Sequence, residues 1–436
     1  MRRDTIVALS SGAVPSAIAI VRLSGPQAVA AATALAGTLP PARLARVRTL
    51  TDFRDGQLLD RAIVVQFDAP NTATGEALVE FHLHGSRAVV AAVEAALLGQ
   101  EGVRRAEPGE FTRRALLNGR IDLTQAEGLG DLLAAETEGQ RRAALRVAEG
   151  GISRTIGKWN RALLIIAARV EAAIDFSDEE DADPGDAETF VGVVREDAAA
   201  IAGKIAAALA LPGAERLRDG VRVVLAGPPN SGKSTLFNRL VQRDAAIVSP
   251  VAGTTRDRIE APVVIAGMPF VLTDTAGLNE GTDDPIEAIG VDRAVQAMAA
   301  ADIVLWLGDE AAPEIDGAVV LAIHARSDEP GRSRVPDGRE LTVSAHTGEG
   351  VAVLVKRLTA AARELLPPVD ALALNARHRA LLGAAVAQLQ MIRMLADLLL
   401  IAEALRAAMA QIDRITGTSD VEAMLDTLFA GFCIGK

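Results

Sequence analysis

The sequence predicts a multidomain α/β plus α protein: an N-terminal α+β domain, a helical-bundle domain, and an inserted domain with a doubly wound, mostly parallel sheet. The chain has 436 residues, which is too long for one ordinary domain. Long stretches with helical periodicity and no proline follow residue 120, and after residue 220 strand-like runs alternate with helix-like ones. Because only 3% of the residues are aromatic, we expect mainly aliphatic cores.

We place the domain boundaries where the secondary structure suggested by the sequence pattern changes. We predict an N-terminal domain over 1–118, a first helical part over 119–214, the inserted α/β domain over 215–368, and a second helical part over 369–436. Helical character returns after Leu366-Pro367-Pro368, and we expect these C-terminal helices to pack on residues 124–211. The α/β domain is then an insertion within one helical domain.

The N-terminal domain alternates strands with alanine-rich helices. The predicted strands are Ala17 to Leu23, Arg61 to Phe67 and Ala77 to Leu83, and the predicted helices are Gln27 to Ala36 and Ala88 to Leu98. His82 and His84 project to one side of a strand, a spacing that serves either a metal or two hydrogen-bonding histidines. The lack of a nearby cysteine or obvious third ligand favours hydrogen bonding.

Helical patterns cover Thr124 to Glu149 and Ile156 to Ile174 and resume, after an acidic stretch, up to Leu211. The acidic stretch Ser177 to Glu188 contains Pro184 and Gly185 and is expected to be a solvated connection rather than a cation site. Near the C-terminus we predict a capping-box helix start at Ser419-Asp420-Val421-Glu422. The apolar stripe expected to face partner helices is Leu395, Leu398, Leu399, Ala402 and Leu405.

The inserted domain shows the order of a parallel sheet covered by helices, Ser234 to Val241 and Pro285 to Ala300 among them. The Ala266-Gly267 turn predicts an antiparallel hairpin at one sheet edge. The predicted strands are Val221 to Ala226, Ile259 to Ile265, Phe270 to Thr273, Ile303 to Leu307, Val319 to Ile323 and Leu341 to Val343.

Composition limits the partners and the compartment. A net charge of −12 argues against a surface that grips nucleic acid by bulk electrostatics, so such a partner must be held locally or through another protein. The single cysteine, Cys433, excludes an intrachain disulfide and suits a reducing compartment. We find neither a signal-peptide core nor a segment apolar enough to span a membrane, and we expect a cytoplasmic protein.

The stretch Gly227-Pro228-Pro229-Asn230-Ser231-Gly232-Lys233-Ser234 has the glycine and lysine spacing of a phosphate-binding loop. The glycines allow a tight turn whose N–H groups face a phosphate chain, Lys233 adds a cation, and Ser234 offers a hydroxyl to magnesium. The alternative is an ordinary glycine-rich turn. Partner motifs decide between the two.

Three partner motifs follow in the expected order. Gly253-Thr254-Thr255-Arg256-Asp257 offers the Thr255 hydroxyl to magnesium, and Asp274-Thr275-Ala276-Gly277 ends a strand with a carboxylate for the same ion. Ser344-Ala345-His346 begins a loop suited to contacting a purine base. Together the motifs resemble those of the GTPase superfamily.

Two positions depart from the pattern of that superfamily. Its guanine-recognition motif is Asn-Lys-x-Asp, and here the segment is Ala325-Arg326-Ser327-Asp328, in which Asp328 still accepts hydrogen bonds from guanine and the stem of Arg326 covers the base. Leu278 stands where small signalling GTPases have the glutamine that orients the attacking water. Water and compensating charge must therefore be positioned by other groups.

The flanking segments carry a closer resemblance, which spans Asp4 to Lys436. It rests on the following motifs: Ala19-Ile20-Val21-Arg22-Leu23-Ser24-Gly25, Thr74-Gly75-Glu76, Val79-Glu80-Phe81-His82, Pro108-Gly109-Glu110-Phe111-Thr112, Leu117-Asn118-Gly119-Arg120-Ile121-Asp122-Leu123 and Phe432-Cys433-Ile434-Gly435-Lys436. The chain thus resembles the MnmE (TrmE) family of tRNA-modification GTPases.

That resemblance implies a folate-binding and dimerising N-terminal domain and GTP hydrolysis that serves modification of the wobble uridine of certain tRNAs. It implies a homodimer, a flavin-containing partner protein of MnmG/GidA type, a formyl-tetrahydrofolate-type cofactor, and potassium-promoted G-domain dimerisation. Folate contacts would fall on Arg22, Glu80, Arg120 and Lys436.

The same resemblance assigns the residues of the GTPase site. Potassium would be bound by Asn230, Ser249, Val251 and Thr254, and Glu287 would orient the attacking water, with Lys233 and Asn230 also catalytic. The expected GTP-binding set is Asn230, Ser231, Gly232, Lys233, Ser234, Thr235, Ser249, Gly253, Thr254, Thr255, Asp274, Thr275, Ala276, Gly277, Asp328, Ser344, Ala345 and His346.

Two alternatives stay open at this point. The first is a ribosome-assembly or RNA-chaperone GTPase switch without covalent RNA chemistry, which would need an RNA module that the helical C-terminal stretch does not resemble. The second concerns Cys433, which is either a nucleophile or, as we favour without an adjacent histidine, a small apolar side chain.

Overall fold

The computed structural model describes residues 4–175, 184–244, 260–275, 294–332, 334–339, 341–368, 370–417, 428–429, 432 and 434–435. The chain divides into two compact units. One unit comprises Met1–Gly130 and Asp413–Lys436, and the other comprises Asp131–Ile412.

The first unit is built on a six-stranded sheet of order β3-β4-β5-β2-β1-β6. Neighbouring strands are antiparallel except for the parallel pair β1 and β6. Helices α1 (Ala28–Ala36) and α2 (Arg87–Leu98) pack on it with alanine, valine and leucine side chains. The strands are β1 (Thr5–Leu9), β2 (Ile18–Ser24), β3 (Arg46–Thr51), β4 (Leu58–Phe67), β5 (Leu78–His84) and β6 (Val103–Arg105).

The predicted elements of this unit are confirmed to within three residues at their ends, but four elements were not predicted: β1, β3, β6 and the helix α3 (Glu110–Leu117). β3 has the sequence RVRTLT, whose buried residue is Leu50, so its pattern is too polar to read as a strand. β6 has only three residues, which is shorter than any periodic signal. Pairing within the sheet, rather than local preference, fixes both strands.

The helical stretch predicted over Thr124 to Glu149 is two helices, α4 (Leu123–Ala134) and α5 (Glu138–Ala148). A new helix begins at Thr137, because its hydroxyl accepts a hydrogen bond from the Gln140 N–H and the Gln140 side-chain oxygen accepts one from the Thr137 N–H. This capping box satisfies backbone donors that a new helix start leaves exposed. A proline-free stretch therefore did not guarantee one helix.

Long helices form the rest of the helical region: α6 (Gly151–Asp175) and α7 (Pro184–Leu209). The prediction of a connection as far as Glu188 is wrong from Pro184 onward, since a proline is tolerated in the first turn of a helix, where its missing N–H has no partner. Residues 176–183 lie outside the described residues.

After the α/β region, α11 (Ala376–Met391) packs against α7, as predicted, and a 3₁₀ turn (Ile392–Met394) leads to α12 (Leu398–Thr416). The predicted apolar stripe is partly wrong, because Leu399 is 60% exposed. Ala402 and Leu405 are buried, and the buried row of α12 continues through Ile401, Ala408, Ile412 and Ile415. The predicted capping box at Ser419 lies outside the described residues.

The α/β part has a second six-stranded sheet of order β12-β11-β10-β7-β9-β8. It is parallel except for the edge hairpin of β8 and β9, whose turn residues Ala266 and Gly267 both have positive φ, as the predicted tight turn requires. Helices α8 (Glu215–Asp219), α9 (Lys233–Asp244) and α10 (Val351–Leu365) accompany the sheet. The strands are β7 (Val221–Ala226), β8 (Glu260–Ile265), β9 (Met268–Asp274), β10 (Ile303–Trp306), β11 (Val319–Ala325) and β12 (Leu341–Val343).

The chain enters and leaves this α/β part at one place. The N–H of Ala214 donates to the carbonyl of Leu374 at 3.0 Å, and the Arg379 guanidinium donates to the carbonyls of Leu209 and Leu211. Within the described ranges, no helix combines the length and the apolarity needed to cross a bilayer.

Candidate functional site: a nucleotide pocket and an N-terminal polar site

The turn between β7 and α9 has the geometry of a phosphate-binding loop. Gly227 and Gly232 adopt φ values of 148° and 95°, which disfavour any residue with a Cβ. A Cβ on Gly227 would also lie 3.1 Å from the N atom of Gly308. Between them, Asn230 takes a left-handed φ of 59°. The two predicted glycines are therefore required by the turn.

Lys233, the first residue of α9, folds its side chain back over this loop. Its Nζ donates to the carbonyls of Gly227 at 3.0 Å and Pro228 at 2.9 Å, and the residue is only 6% exposed. Burial lowers the pKa of Lys233, an effect that the charge of Asp274 partly offsets. The ammonium group therefore lies at the place where the loop would bind an anion.

The end of β9 lies beside the phosphate-binding loop because β7 and β9 are parallel neighbours, with Asp274 opposite Leu225. Asp274 is buried, and the Thr275 hydroxyl donates to the Leu225 carbonyl at 2.8 Å. The parallel pairing therefore brings a carboxylate next to the loop, as predicted. Ser234, at the start of α9, is exposed.

The base-recognition segment predicted at Asp328 and the loop after β12 come together. Ser344 is fully buried, and a hydrogen bond from its side chain lowers the pKa of the Asp328 carboxyl. The Ser344 hydroxyl also accepts from the Thr347 N–H at 3.0 Å. Asp328 is therefore held in its charged, hydrogen-bond-accepting form.

One pocket of about 680 Å³ joins the two predicted regions. Its lining combines the phosphate-binding loop and the start of α9 with the base-recognition segment: Asn230, Ser231, Gly232, Lys233, Ser234, Thr235, Arg326, Asp328, Glu329, Ala345 and His346. Among the residues that the structure describes, the buried Ser231 Oγ finds no hydrogen-bond partner, so it is available to a ligand. The predicted residues Ser249, Val251, Gly253, Thr254, Thr255, Ala276, Gly277 and Glu287 lie outside the described residues, as does Leu278.

Two arginines near the pocket, Arg326 and Arg332, form contacts that the sequence did not predict. Arg326 donates to the backbone carbonyl of Asn230 and forms an ion pair with Glu329. Arg332 donates from Nε to the Ala325 carbonyl at 3.0 Å and from both terminal nitrogens to Asp309 at 2.9 Å. The segment after β11 is thus fixed from two sides.

In the first unit, the predicted folate-contacting residues Arg22 and Glu80 are brought together. They lie opposite one another on β2 and β5, and Arg22 donates from Nε to Glu80 Oε1 at 2.9 Å. The Arg22 guanidinium also lies 5.7 Å from the centre of the Phe111 ring. A charged pair with 25% and 15% exposed side chains offers both a cation and an anion to a polar ligand.

His82 and His84 form hydrogen bonds, the alternative that the sequence favoured. His82 Nε2 lies 3.4 Å from Glu80 Oε2, and His84 Nδ1 lies 2.7 Å from Asp60 Oδ1. Over the part of the chain that the structure describes, no group of three or more His, Cys, Asp and Glu residues is arranged to hold a metal ion.

The third predicted folate residue, Arg120, lies on the segment after α3. It lies against Gly75, where a Cβ would be 3.2 Å from Arg120 Cγ, and the Asn118 side chain donates to the Thr74 carbonyl at 2.7 Å. The C-terminal tail returns to β1, since the Ser10 hydroxyl donates to the Gly435 carbonyl at 2.8 Å. Lys436 and Cys433 lie outside the described residues.

A buried ionic network in this unit was missed. Arg114 donates to Asp4, Glu76 and Glu110, and Arg104 donates to Asp4 and Glu110. Burial raises the pKa of Glu110, but hydrogen bonds from Arg104, from the Glu107 N–H and from Arg114 outweigh it, so the net shift is downward. The signal was present, because Glu76 and Glu110 lie within two of the motifs quoted above.

Two family models match this chain. The model described as "MnmE helical domain" covers residues 123–433, and the model described as "GTP-binding protein TrmE N-terminus" covers residues 5–120. The chain belongs to the MnmE family.

Full-length relatives agree with this assignment. The protein named tRNA modification GTPase MnmE from Erythrobacter litoralis is 52% identical over 434 residues, which cover 99% of this chain and 100% of the relative. Proteins of the same name from Rhizorhabdus wittichii and Zymomonas mobilis are 54% and 46% identical, each over 99% of this chain and over 97% and 100% of their own lengths. The resemblance on which the site residues were predicted is therefore a real family relationship.

Proposed function

We propose that this chain hydrolyses GTP and that the hydrolysis serves modification of tRNA. The observation that carries the proposal is the single pocket lined at one end by the phosphate-binding loop with Lys233 and at the other by Asp328 and the loop after β12. A nucleotide needs both ends, since its phosphates bind to N–H groups and a cation while its base needs directed acceptors. The names of the full-length relatives agree with the proposal.

The described residues divide the work of hydrolysis, in which water is the nucleophile. Lys233 exchanges its loop carbonyls for the outer phosphates and neutralises charge there. Asp328 accepts hydrogen bonds from the guanine ring. Ser234 and Asp274 offer the oxygen ligands that Mg²⁺ prefers, with Thr255 completing the set, and the ion would neutralise charge developing on the transferred phosphoryl group.

Two further roles are proposed on family membership. With leucine at position 278, Glu287 orients the attacking water. Asn230, Ser249, Val251 and Thr254 would hold a potassium ion, which would supply positive charge to the site and promote the dimerisation of G domains that activates hydrolysis. Of the ligands, Asn230 is described, and it lines the pocket.

The same membership supports the remaining parts of the proposal. The N-terminal domain (1–118) binds a formyl-tetrahydrofolate-type cofactor at Arg22, Glu80, Arg120 and Lys436 and forms a homodimer. The G domain (215–368) is inserted in a helical domain made of 119–214 and 369–436. With a flavoprotein partner of MnmG/GidA type, the protein takes part in carboxymethylaminomethyl-type modification of wobble uridines in the cytoplasm.

Mass spectrometry of wobble uridines in tRNA from cells that lack this protein tests the function. We expect the modified nucleoside to disappear, to return with the wild-type gene, and not to return with Lys233→Ala. Lys356→Ala, which removes an exposed lysine from α10, is the matched control and should restore it. An unchanged modification profile would favour a ribosome-assembly or RNA-chaperone switch instead.

A further inference from the structure

We propose that Arg326 and Glu329 are a positioning pair that ties the base-recognition segment to the phosphate-binding loop, in place of the asparagine that position 325 lacks. The proposal rests on the proposed function, because it concerns how this pocket holds a guanine nucleotide. It assigns to both residues a role in nucleotide affinity.

The need for such a tether follows from Ala325. The methyl group of alanine forms no hydrogen bond, whereas an asparagine amide both donates and accepts. Ala325 is 5% exposed at the end of β11 and lines the pocket. Without a polar side chain there, the segment that carries Asp328 needs another link to the loop that carries the phosphates.

Arg326 provides that link from the next position. Its guanidinium donates through one terminal nitrogen to the Asn230 carbonyl, which belongs to the phosphate-binding loop. Its stem lies against Gly232, since a Cβ built there would be 3.2 Å from Arg326 Cγ. The backbone of Arg326 has a left-handed φ of 59°. Such a φ is uncommon for a residue with a long side chain.

Glu329 holds the guanidinium in this orientation. Its two carboxylate oxygens accept from Nε and from the second terminal nitrogen of Arg326. A planar guanidinium with a bidentate carboxylate has little rotational freedom, so the remaining nitrogen is aimed at Asn230. Both side chains are 36% exposed, and their opposite charges cancel. The pair therefore positions the base-recognition segment and adds little electrostatic attraction for phosphate.

The other side of the segment is fixed independently by Arg332. Its Nε donates to the Ala325 carbonyl, and its terminal nitrogens bind Asp309 after β10. His324, which is 2% exposed, contributes a ring nitrogen 2.8 Å from the Arg332 carbonyl. These contacts fix the segment on the sheet, whereas the Arg326 contact reaches the phosphate-binding loop.

A ligand that contacts both the base-recognition segment and the phosphate-binding loop binds more tightly when the distance between them is fixed. A ligand that contacts only one of them does not. GDP and GTP belong to the first class and guanosine to the second. Loss of the pair through Glu329→Gln, which keeps the Arg326 stem over the base, should therefore weaken GDP binding but leave competition by guanosine unchanged. A general structural role would not separate the two ligands in this way.

The test is the Kd of the full chain for a fluorescent GDP analogue, with Arg326→Ala, Arg326→Lys, Glu329→Gln and the double variant Arg326→Ala/Glu329→Gln. We expect Arg326→Ala to weaken binding about tenfold and Glu329→Gln about threefold, the range of one ordinary hydrogen bond, because partial solvent exposure reduces the strength of a charged one. The double variant should be no weaker than Arg326→Ala, since the two residues act as a unit. Arg326→Lys keeps a cation for the Asn230 carbonyl but loses the fork to Glu329, so it should fall between.

The matched control is the exposed pair Glu138 and Arg141 on α5, which has the same i,i+3 spacing. Glu138→Gln and Arg141→Ala should leave the Kd for GDP within about twofold of the wild type, as a surface pair does. Thermal unfolding checks that each variant folds. If Arg326→Ala does not fold, the comparison of Arg326→Lys with Glu329→Gln replaces it.

Wild-type affinity for GDP in both Arg326→Lys and Glu329→Gln, or equal losses for GDP and guanosine in Glu329→Gln, would overturn the proposed pair. Failure of the wild-type chain to bind GDP at all would instead reject the proposed function. The two failures are therefore distinguishable in one titration series.

Discussion

Replacing Arg114 with methionine should destabilise the first unit far more than any surface arginine would. The guanidinium is 10% exposed and donates to the Asp4 backbone carbonyl, to the Asp4 and Glu110 carboxylates at 2.9 and 3.0 Å, and to Glu76 at 3.0 Å. Methionine keeps the apolar stem but leaves Asp4 and Glu110 with Arg104 as their remaining arginine in the network, and leaves Glu76 with the Ser24 hydroxyl. Removing one partner from a buried ionic network costs about 3–5 kcal/mol.

Amide hydrogen exchange measures this loss locally, which matters because a chain of several domains does not unfold in one step. Peptides from β1 and α3 should exchange faster in Arg114→Met by the factor that corresponds to the lost free energy. Arg114→Lys should lose about 1–3 kcal/mol, because one ammonium cannot replace the fork to several acceptors. Arg141→Met removes one partner of an exposed ion pair, and it should change the free energy of opening measured by hydrogen exchange by less than about 1 kcal/mol.

A change below about 1 kcal/mol in Arg114→Met would refute this reasoning, because it would show that the network contributes no more than a surface ion pair. If amides lost protection only outside β1 and α3, the prediction that the network stabilises these two elements would be wrong.

Four further predictions concern the site and the network. The pKa values of Asp4 and Glu110 are lowered in the folded chain, so the unfolded chain binds more protons. The protection factors of the β1 amides, which are corrected for the pH dependence of intrinsic exchange, should therefore fall as pH falls through the ordinary carboxyl range, and less so in Arg114→Met. Gly232→Ala should weaken GDP binding about tenfold, because φ of 95° costs a residue with a Cβ about 1–2 kcal/mol, whereas Gly383→Ala, with open space around it, should not change the Kd. GTP turnover should fall when sodium replaces potassium at equal ionic strength, and Glu287→Ala should abolish turnover while GDP still binds; equal rates in the two salts would reject the potassium role.

The sequence predicted best where one local pattern determines the structure. The runs that became β7, β10 and β11 are buried on both sides, and the loop after β7 is dictated by its two glycines, so both could be found from residue order alone. β3 could not, because its polar sequence becomes a strand only through pairing with β4. The split between α4 and α5 depends on the side chain of Thr137, which a count of apolar residues does not register.

The candidate site shows the same limit. Lys233, Asp274 and Asp328 were predicted from motifs, and their positions in one pocket or beside its loop agree with that prediction. The link from Arg326 to Asn230 joins residues 96 positions apart through a left-handed backbone, which no spacing rule anticipates. The network around Arg114 likewise joins Asp4 to arginines 100 and 110 positions away.

The hydrogen bond between Ala214 and Leu374 has a consequence for how the chain tolerates its long insertion. Because the two crossing points are held 3.0 Å apart, the 159 intervening residues act on the helices as a short surface loop would, and they add little to the entropy lost when α7 and α11 pack. Such a junction is where a chain accepts excision or exchange of a whole module. Residues 215–373 could therefore be replaced by a few glycines with α7 and α11 still paired, which would provide a helical scaffold whose binding properties can be measured without any nucleotide chemistry.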